Sequence, residues 1–282
     1  RLVVVYENYN IDLVSVDGKV TNMSEYYNKS LTEDKTINGI TINGTDAYLS
    51  TGFGIVRIDV RNAAISDTYN LGVKVNATAL SGNNIFAATA DGMYRASMND
   101  NLADKSKWTR YSTKTFTHLL LLNNDLIGMN SGEACIMDKN ADTFKQFYTP
   151  WFSRAKISGD RIICYGGSHT YIIRSTDKRQ DVAMSFGGIE YSTSDDSYWL
   201  TDTDGKLAKA TIDNNGNIQL SLSGIAPEGP EYNYFGFMRF INGKLYTCGG
   251  RGNPERDACI QVYDKSDGWN VYPNDFAATL GY

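Results

Sequence analysis

The feature that most constrains this chain is a repeat of about 40 residues. Residues 46–59 (DAYLSTGFGIVRID) align with 84–96 (NIFAATADGMYRA) and again with 125–137 (DLIGMNSGEACIM). Further copies begin at Asp160, Ser197 and Lys244, and the segment 2–14 fits the same template. With Asn8, Gly52, Gly92, Gly132, Gly167, Gly205 and Gly250 as markers, the steps are 44, 40, 40, 35, 38 and 45 residues, so the 282 residues hold seven units. A period of this length belongs to solenoids and propellers.

The content of each unit decides between the two. Two short runs rich in Val, Ile, Leu, Tyr and Phe flank a turn of Gly, Asn or Asp, the pattern of a β-hairpin, because such residues accept the positive φ of tight turns. Another apolar run precedes the hairpin, as at 37–42, 75–80, 117–121 and 237–240, and a more polar one follows, as at 65–69, 108–112, 144–148 and 218–222. Neither the Leu ladder of leucine-rich repeats nor the 3.6-residue period of helical repeats is present. Four strands per unit therefore predict an all-β fold, a seven-bladed β-propeller of four-stranded antiparallel blades. The expectation is a single domain over 1–282, with blades near 1–33, 34–73, 74–115, 116–150, 151–187, 188–230 and 231–282. Helix is expected only within 21–31 and 103–107. The first unit lacks an innermost strand, and residues 275–280 (DFAATL) are expected to pair there and close the ring.

Composition narrows the function classes. A net charge of −5, from 27 Lys+Arg against 32 Asp+Glu without a basic stripe, argues against a nucleic-acid partner. The apolar run 119–122 ends at Asn123, and no run approaches the roughly 20 residues of a membrane-spanning helix. The sequence begins at Arg1 rather than at a methionine, as a processed or truncated product would. Four cysteines form no CxxC pair and there are two histidines, so no metal or other cofactor is expected. For Cys248 and Cys259, which flank a polar loop, two readings stand: a disulfide across a hairpin, or thiols that pack as small hydrophobes.

No GxSxG elbow, HExxH, P-loop or dinucleotide fingerprint occurs. His118 falls in an inner strand and His169 in a turn, both read as structural or surface groups. Glycoside hydrolysis would need two carboxylates some 5 to 10 Å apart. The candidates Glu190, Asp195, Asp196, Glu228 and Glu231 read as solvated loop residues, and Asp202-Thr203-Asp204-Gly205 reads as a turn rather than a calcium loop. The chain is therefore expected to be non-catalytic. Loops that depart from the minimal unit are where a propeller binds partners. Three stand out: 148–154 (YTPWFSR), 226–235 (APEGPEYNYF) and 249–256 (GGRGNPER). Their aromatic and basic residues, Trp151, Arg154, Tyr232, Tyr234, Arg251 and Arg256, are the candidate ligand- or partner-binding set, suited to stacking on a saccharide or pairing with phosphate and carboxylate. The plainer reading of Trp151 and Tyr234 is packing between blades.

The first units also carry a family's wording. Residues 6–13 (YENYNIDL), 17–20 (DGKV), 31–38 (LTEDKTIN), 47–55 (AYLSTGFGI) and 67–72 (DTYNLG) together resemble the N-terminal β-propeller of PorZ-like proteins of the Bacteroidota. The resemblance spans residues 2–108 and then fades into a general propeller pattern. The blade style is also similar to the sensor propellers of hybrid two-component regulators. The first resemblance implies a module of a surface protein of the type IX secretion system, followed by a second propeller and a sorting domain. It implies a PorU-like sortase or anionic lipopolysaccharide as partner, and an extracytoplasmic place, in the periplasm or on the outer cell surface. The second implies an extracytoplasmic carbohydrate sensor.

Overall fold

The structure, a computed structural model, describes residues 1–29, 32–139, 143–201, 206–225, 229–230, 236–249 and 259–273. Among them, strands fall into seven antiparallel sheets. The first blade holds β1 (Leu2–Val5), β2 (Ile11–Val14) and β3 (Val20–Met23). The second holds β4 (Ile37–Asn43), β5 (Asp46–Thr51), β6 (Gly54–Asp59) and β7 (Ala64–Asn70), and the third β8 (Val75–Ser81), β9 (Asn84–Thr89), β10 (Gly92–Ser97) and β11 (Thr109–Ser112). The fourth holds β12 (His118–Leu122), β13 (Asp125–Asn130), β14 (Glu133–Asp138) and β15 (Thr143–Tyr148). The fifth holds β16 (Arg154–Ser158), β17 (Arg161–Tyr165), β18 (Thr170–Ile173) and β19 (Arg179–Val182). The sixth holds β20 (Gly188–Ser192), β21 (Ser197–Thr201), β22 (Leu207–Ile212) and β23 (Ile218–Ile225). The seventh holds β24 (Phe237–Ile241), β25 (Lys244–Gly249), β26 (Cys259–Asp264) and β27 (Gly268–Pro273).

Six of these sheets are four-stranded meanders in chain order, the blades of a seven-bladed β-propeller. The first has three strands among the described residues, and 275–280, expected to complete it, lies outside them. A single short helix, Ser24–Asn28, and a 3₁₀ turn at Lys105–Lys107 are the helical elements of the described residues, none of which is long and apolar enough to cross a membrane. The chain divides into two compact units, Arg1–Ser223 and Gly224–Tyr282.

Turn chemistry sets the strand register. The first hairpin of the second, third and fifth blades is a two-residue turn led by Gly44, Gly82 or Gly159, each near φ +60°. In the fourth blade Asn123 and Asn124 both take positive φ, as a type I′ turn requires. Within the register so fixed, alternate residues of one strand reach opposite neighbours. On β5, Ala47 and Leu49 join Ile11, Leu13, Met23 and Tyr26 of the first blade, while Tyr48 joins Val75, Ile85 and Trp108 of the third. Further layers join the third blade to the fourth around Phe86 and Phe116, the fourth to the fifth around Met129 and Ile162, and the fifth to the sixth around Ile163 and Tyr198. A blade buried on both faces explains why its middle strands read as almost unbroken apolar runs, such as Ile162-Ile163-Cys164.

Polar side chains stitch the inner strands together. The Asn38 amide donates to the Val75 carbonyl at 2.9 Å, and that of Asn76 to the Phe116 carbonyl at 3.2 Å. The Ala155 backbone N–H donates to Nε2 of His118 at 3.4 Å, and Ser158 donates to Glu190 at 2.5 Å. Each bond links a blade to the next, satisfying groups that the packed interface removes from water.

The last unit corrects the cysteine geometry. β25 and β26 pair Cys248 with Ile260 and Gly249 with Cys259, one residue away from the register a direct cross-strand pair would need. Cys248 is an exposed free thiol, whereas Cys135 and Cys164 are buried, as small hydrophobes are.

Candidate functional site

The loop from β15 to β16 places the sequence-predicted Trp151 and Arg154. Pro150 cannot donate to a strand ladder, and β15 ends two residues before it. Phe152 then drops into the layer between the fourth and fifth blades, where it meets the edge of His118 at 5.5 Å. Three bonds pin the loop: Gly132 N–H to the Pro150 carbonyl at 2.6 Å, Phe152 N–H to Ser131 Oγ at 3.3 Å, and Ser153 Oγ to the Gly166 carbonyl at 3.2 Å. The close approach needs glycine on the flanking turns. A Cβ on Gly166 would stand 2.1 Å from Ser153 Oγ, and one on Gly167 2.9 Å from the Trp151 carbonyl.

The outcome is a fixed loop with its indole outside. Trp151 is 68% exposed, with its ring edge beside Gly132, so it is a rim residue and the interblade packing falls to Phe152. Arg154 opens β16 opposite Tyr165 and is exposed. Nearby strands of the fifth blade add a polar and aromatic cluster that sequence reasoning did not assemble. His169 Nδ1 bonds Asp181 at 2.5 Å and its ring stacks on Tyr171, 6.1 Å between centroids. Tyr171 meets Tyr148 edge-on at 5.9 Å, and the Arg179 guanidinium lies 5.1 Å over the Tyr148 ring. Burial pushes the Tyr148 phenol pKa up, so its hydroxyl stays protonated at neutral pH. The cluster forms across β15, β18 and β19, where the strand register pairs Tyr171 with Asp181.

Such a rim can stack a flat apolar surface on Trp151 and meet anionic or hydroxyl groups with Arg154 and the His169–Asp181 pair. Tyr232, Tyr234, Arg251 and Arg256 lie outside the described residues. Of the carboxylates, Glu190 is held by Lys156 and Ser158, Asp195 by Lys209 and Ser197, and Asp196 by the Tyr191 hydroxyl. Glu228, Glu231 and 202–205 lie outside the described residues.

A second concave surface lies along the first strands of four consecutive blades. The first strands of the second to fifth blades, β4, β8, β12 and β16, line a cavity of about 700 Å³. Of its polar members, Asn38, Asn76 and His118 are engaged in the interblade bonds, while Ile40, Ile42 and Ile157 are exposed to the cavity. Sequence reasoning placed His118 in an inner strand, and there it stands. It holds its proton on Nδ1 toward Thr117 Oγ1 at 2.9 Å and accepts at Nε2, the neutral form that burial favours by lowering its pKa.

With this geometry in place, known proteins supply a context. Residues 1–109 match the family described as the PorZ N-terminal beta-propeller domain of the type IX secretion system, so the resemblance read over 2–108 is shown. A solved structure of PorZ, an essential bacterial surface component of the type-IX secretion system of Porphyromonas gingivalis, superposes with a TM-score of 0.73 at 23% identity, covering 98% of this chain and 38% of that one. A chain of the mitotic checkpoint complex gives 0.59 at 10% identity, covering 96% and 83%. The C-terminal WD40 domain of Sif2 gives 0.50 at 10%, covering 94% and 80%. At these identities the likeness establishes the propeller fold, and the chain spans 38% of the length of PorZ. No curated protein sequence matches the chain.

Proposed function

We propose that this chain is the N-terminal propeller of a longer PorZ-like surface protein, a non-catalytic platform that serves type IX secretion outside the cytoplasm. The observation that carries the reading is the family match over residues 1–109, reinforced by the PorZ superposition along 98% of the chain. A second propeller and a sorting domain of the same protein are the neighbours this reading requires. The rim of Trp151 and Arg154 is its contact surface, for a PorU-like sortase or for anionic lipopolysaccharide. An exposed indole on a loop pinned by backbone hydrogen bonds has low ordering cost, which favours recognition over mere solvation.

Calorimetric titration of the purified propeller with anionic lipopolysaccharide and with a PorU-like sortase tests this. Binding to one of them is expected, and Trp151→Ala with Arg154→Ala is expected to weaken it at least about tenfold, the effect of one lost aromatic or Arg anchor. Absence of binding to both would leave an architectural role only.

A further inference from the structure

We infer that the cleft between the third and fourth blades binds a small apolar carboxylate, with its hydrocarbon part on an apolar floor and its oxygens between Arg95 and Lys139. The cleft has a volume of about 610 Å³, and its lining residues fall within 80–139, inside the first compact unit. Small-molecule sites have roughly 300–1,000 Å³ and pair an apolar lining with a few placed polar groups. Here Leu80 of β8, Phe86 of β9, Leu121 of β12 and Met137 of β14 supply the apolar part. Phe86 is closed within the layer between the blades, and Leu121 and Met137 pack against that layer while only partly buried. Arg95 and Lys139 are the charged lining residues, and no carboxylate lines the cleft among the described residues.

The repeat shows that this charge balance is a departure. The second blade has Arg57 at the equivalent place, opposite Tyr48 as Arg95 is opposite Phe86. Two carboxylates hold Arg57, Asp46 at 2.8 Å and Asp67 at 3.2 Å. In the third blade Asn84 stands at the place of Asp46 and Thr109 at that of Asp67. The arginine is kept while both of these acids become neutral.

Both cations are also positioned. The Arg95 guanidinium lies 4.8 Å over the Tyr111 ring, which meets Phe86 and Phe144 edge-on at 6.0 Å. Lys139 donates to the Asn124 carbonyl at 3.3 Å and to Asp125 at 3.0 Å. An ammonium has three donors, so among the described residues one is left for a ligand oxygen. A carboxylate would take charge-assisted bonds from both side chains, which a neutral ligand of the same size cannot match. The inference is independent of the PorZ reading.

Methionine-methyl NMR on the whole chain tests it, with octanoate as probe and 1-octanol as its neutral counterpart, each titrated to about 10 mM, a range that suits so small a ligand. The Met137 methyl signal, assigned through Met137→Leu, is expected to shift saturably with octanoate and at least about tenfold more weakly with 1-octanol. Lys139→Gln and Arg95→Gln should each weaken octanoate binding about tenfold, the effect of one lost charged hydrogen bond. Circular dichroism checks that both variants are folded, and Lys139, at the exposed mouth, is the substitution the fold tolerates more easily. A Met137 signal that does not move, equal binding of 1-octanol, or octanoate affinity unchanged in Lys139→Gln and in Arg95→Gln would overturn the inference.

Discussion

The junction of the second and third blades and that of the fifth and sixth solve one problem with different chemistry. In the first, the contacts are neutral: Asn38 to the Val75 carbonyl, Thr41 to the Thr78 carbonyl at 2.5 Å, and Ser50 with Thr78, both buried, at 2.8 Å. In the second, Arg161 is 3% exposed, with its guanidinium 3.2 Å over the Tyr191 ring, bonded to the Tyr198 hydroxyl at 2.6 Å and to Asp160 at 2.8 Å. Lys156 and Glu190 add an ion pair at 2.5 Å on the cavity side. Apolar layers of similar make-up back both junctions. The propeller interface is thus specified by its apolar layer and tolerates either chemistry in the polar seam, but only the ionic seam ties stability to charge.

The largest effect that separates the two seams is expected at Arg161. Arg161→Ala removes a buried cation, leaves the Tyr198 hydroxyl without this donor and opens space between two rings, for a loss of about 3 kcal/mol. Ser50→Ala in the neutral seam removes one hydrogen bond and should cost about 1 kcal/mol. Urea unfolding of both variants measures the difference. Equal losses would mean that the guanidinium contributes little beyond volume, and the two seams would then be energetically alike.

The same contrast explains what the sequence made legible. Period and turn residues are local, and β4, β8, β12 and β24 lie where the apolar runs before each hairpin place them. Side-chain destinations between blades are not local. Trp151 and Phe152 are adjacent aromatics in one loop, yet Phe152 fills the interblade layer and Trp151 stays outside, because the Gly132 and Ser131 contacts orient the backbone between them. The pairing of Arg161 with Tyr198 crosses 37 positions and has no mark in either blade's own pattern. Cys248 and Cys259 show the limit at the scale of one residue: symmetry about a polar loop suggested a facing pair, whereas the hairpin register is offset by one.

Between the two extremes stands the fourth-to-fifth junction, where His118 accepts from the Ala155 N–H only while neutral. Burial lowers the imidazole pKa below its ordinary 6.5, so the unfolded chain binds the proton first. Stability is full above about 6.5 and declines as pH falls through the folded value. Thermal unfolding between about pH 8 and pH 5 should show this decline, and His118→Gln, which cannot titrate, should flatten the part of it due to this residue. A slope unchanged in His118→Gln would move the pH dependence to the carboxylates, and the seam would count as chemically neutral like that of the second and third blades.

The smallest effect is expected at Lys156 and Glu190, and it decides which part of the ionic seam matters. Both side chains are partly exposed, so solvent screens their attraction and a coupling below about 1 kcal/mol is expected. Glu190→Gln keeps an oxygen for the Ser158 hydroxyl that now donates to it, and so isolates the charge from the hydrogen bond. A double-mutant cycle with Lys156→Met, run at about 0.1 M and about 1 M salt, should give a coupling that shrinks at the higher concentration, where the screening length falls to about 3 Å. Arg161, enclosed by two tyrosines, should lose little of its contribution under the same change. If the Lys156–Glu190 coupling were instead large and indifferent to salt, the cavity wall would be a low-dielectric surface. The division between a buried arginine and a screened ion pair within this junction would then fail.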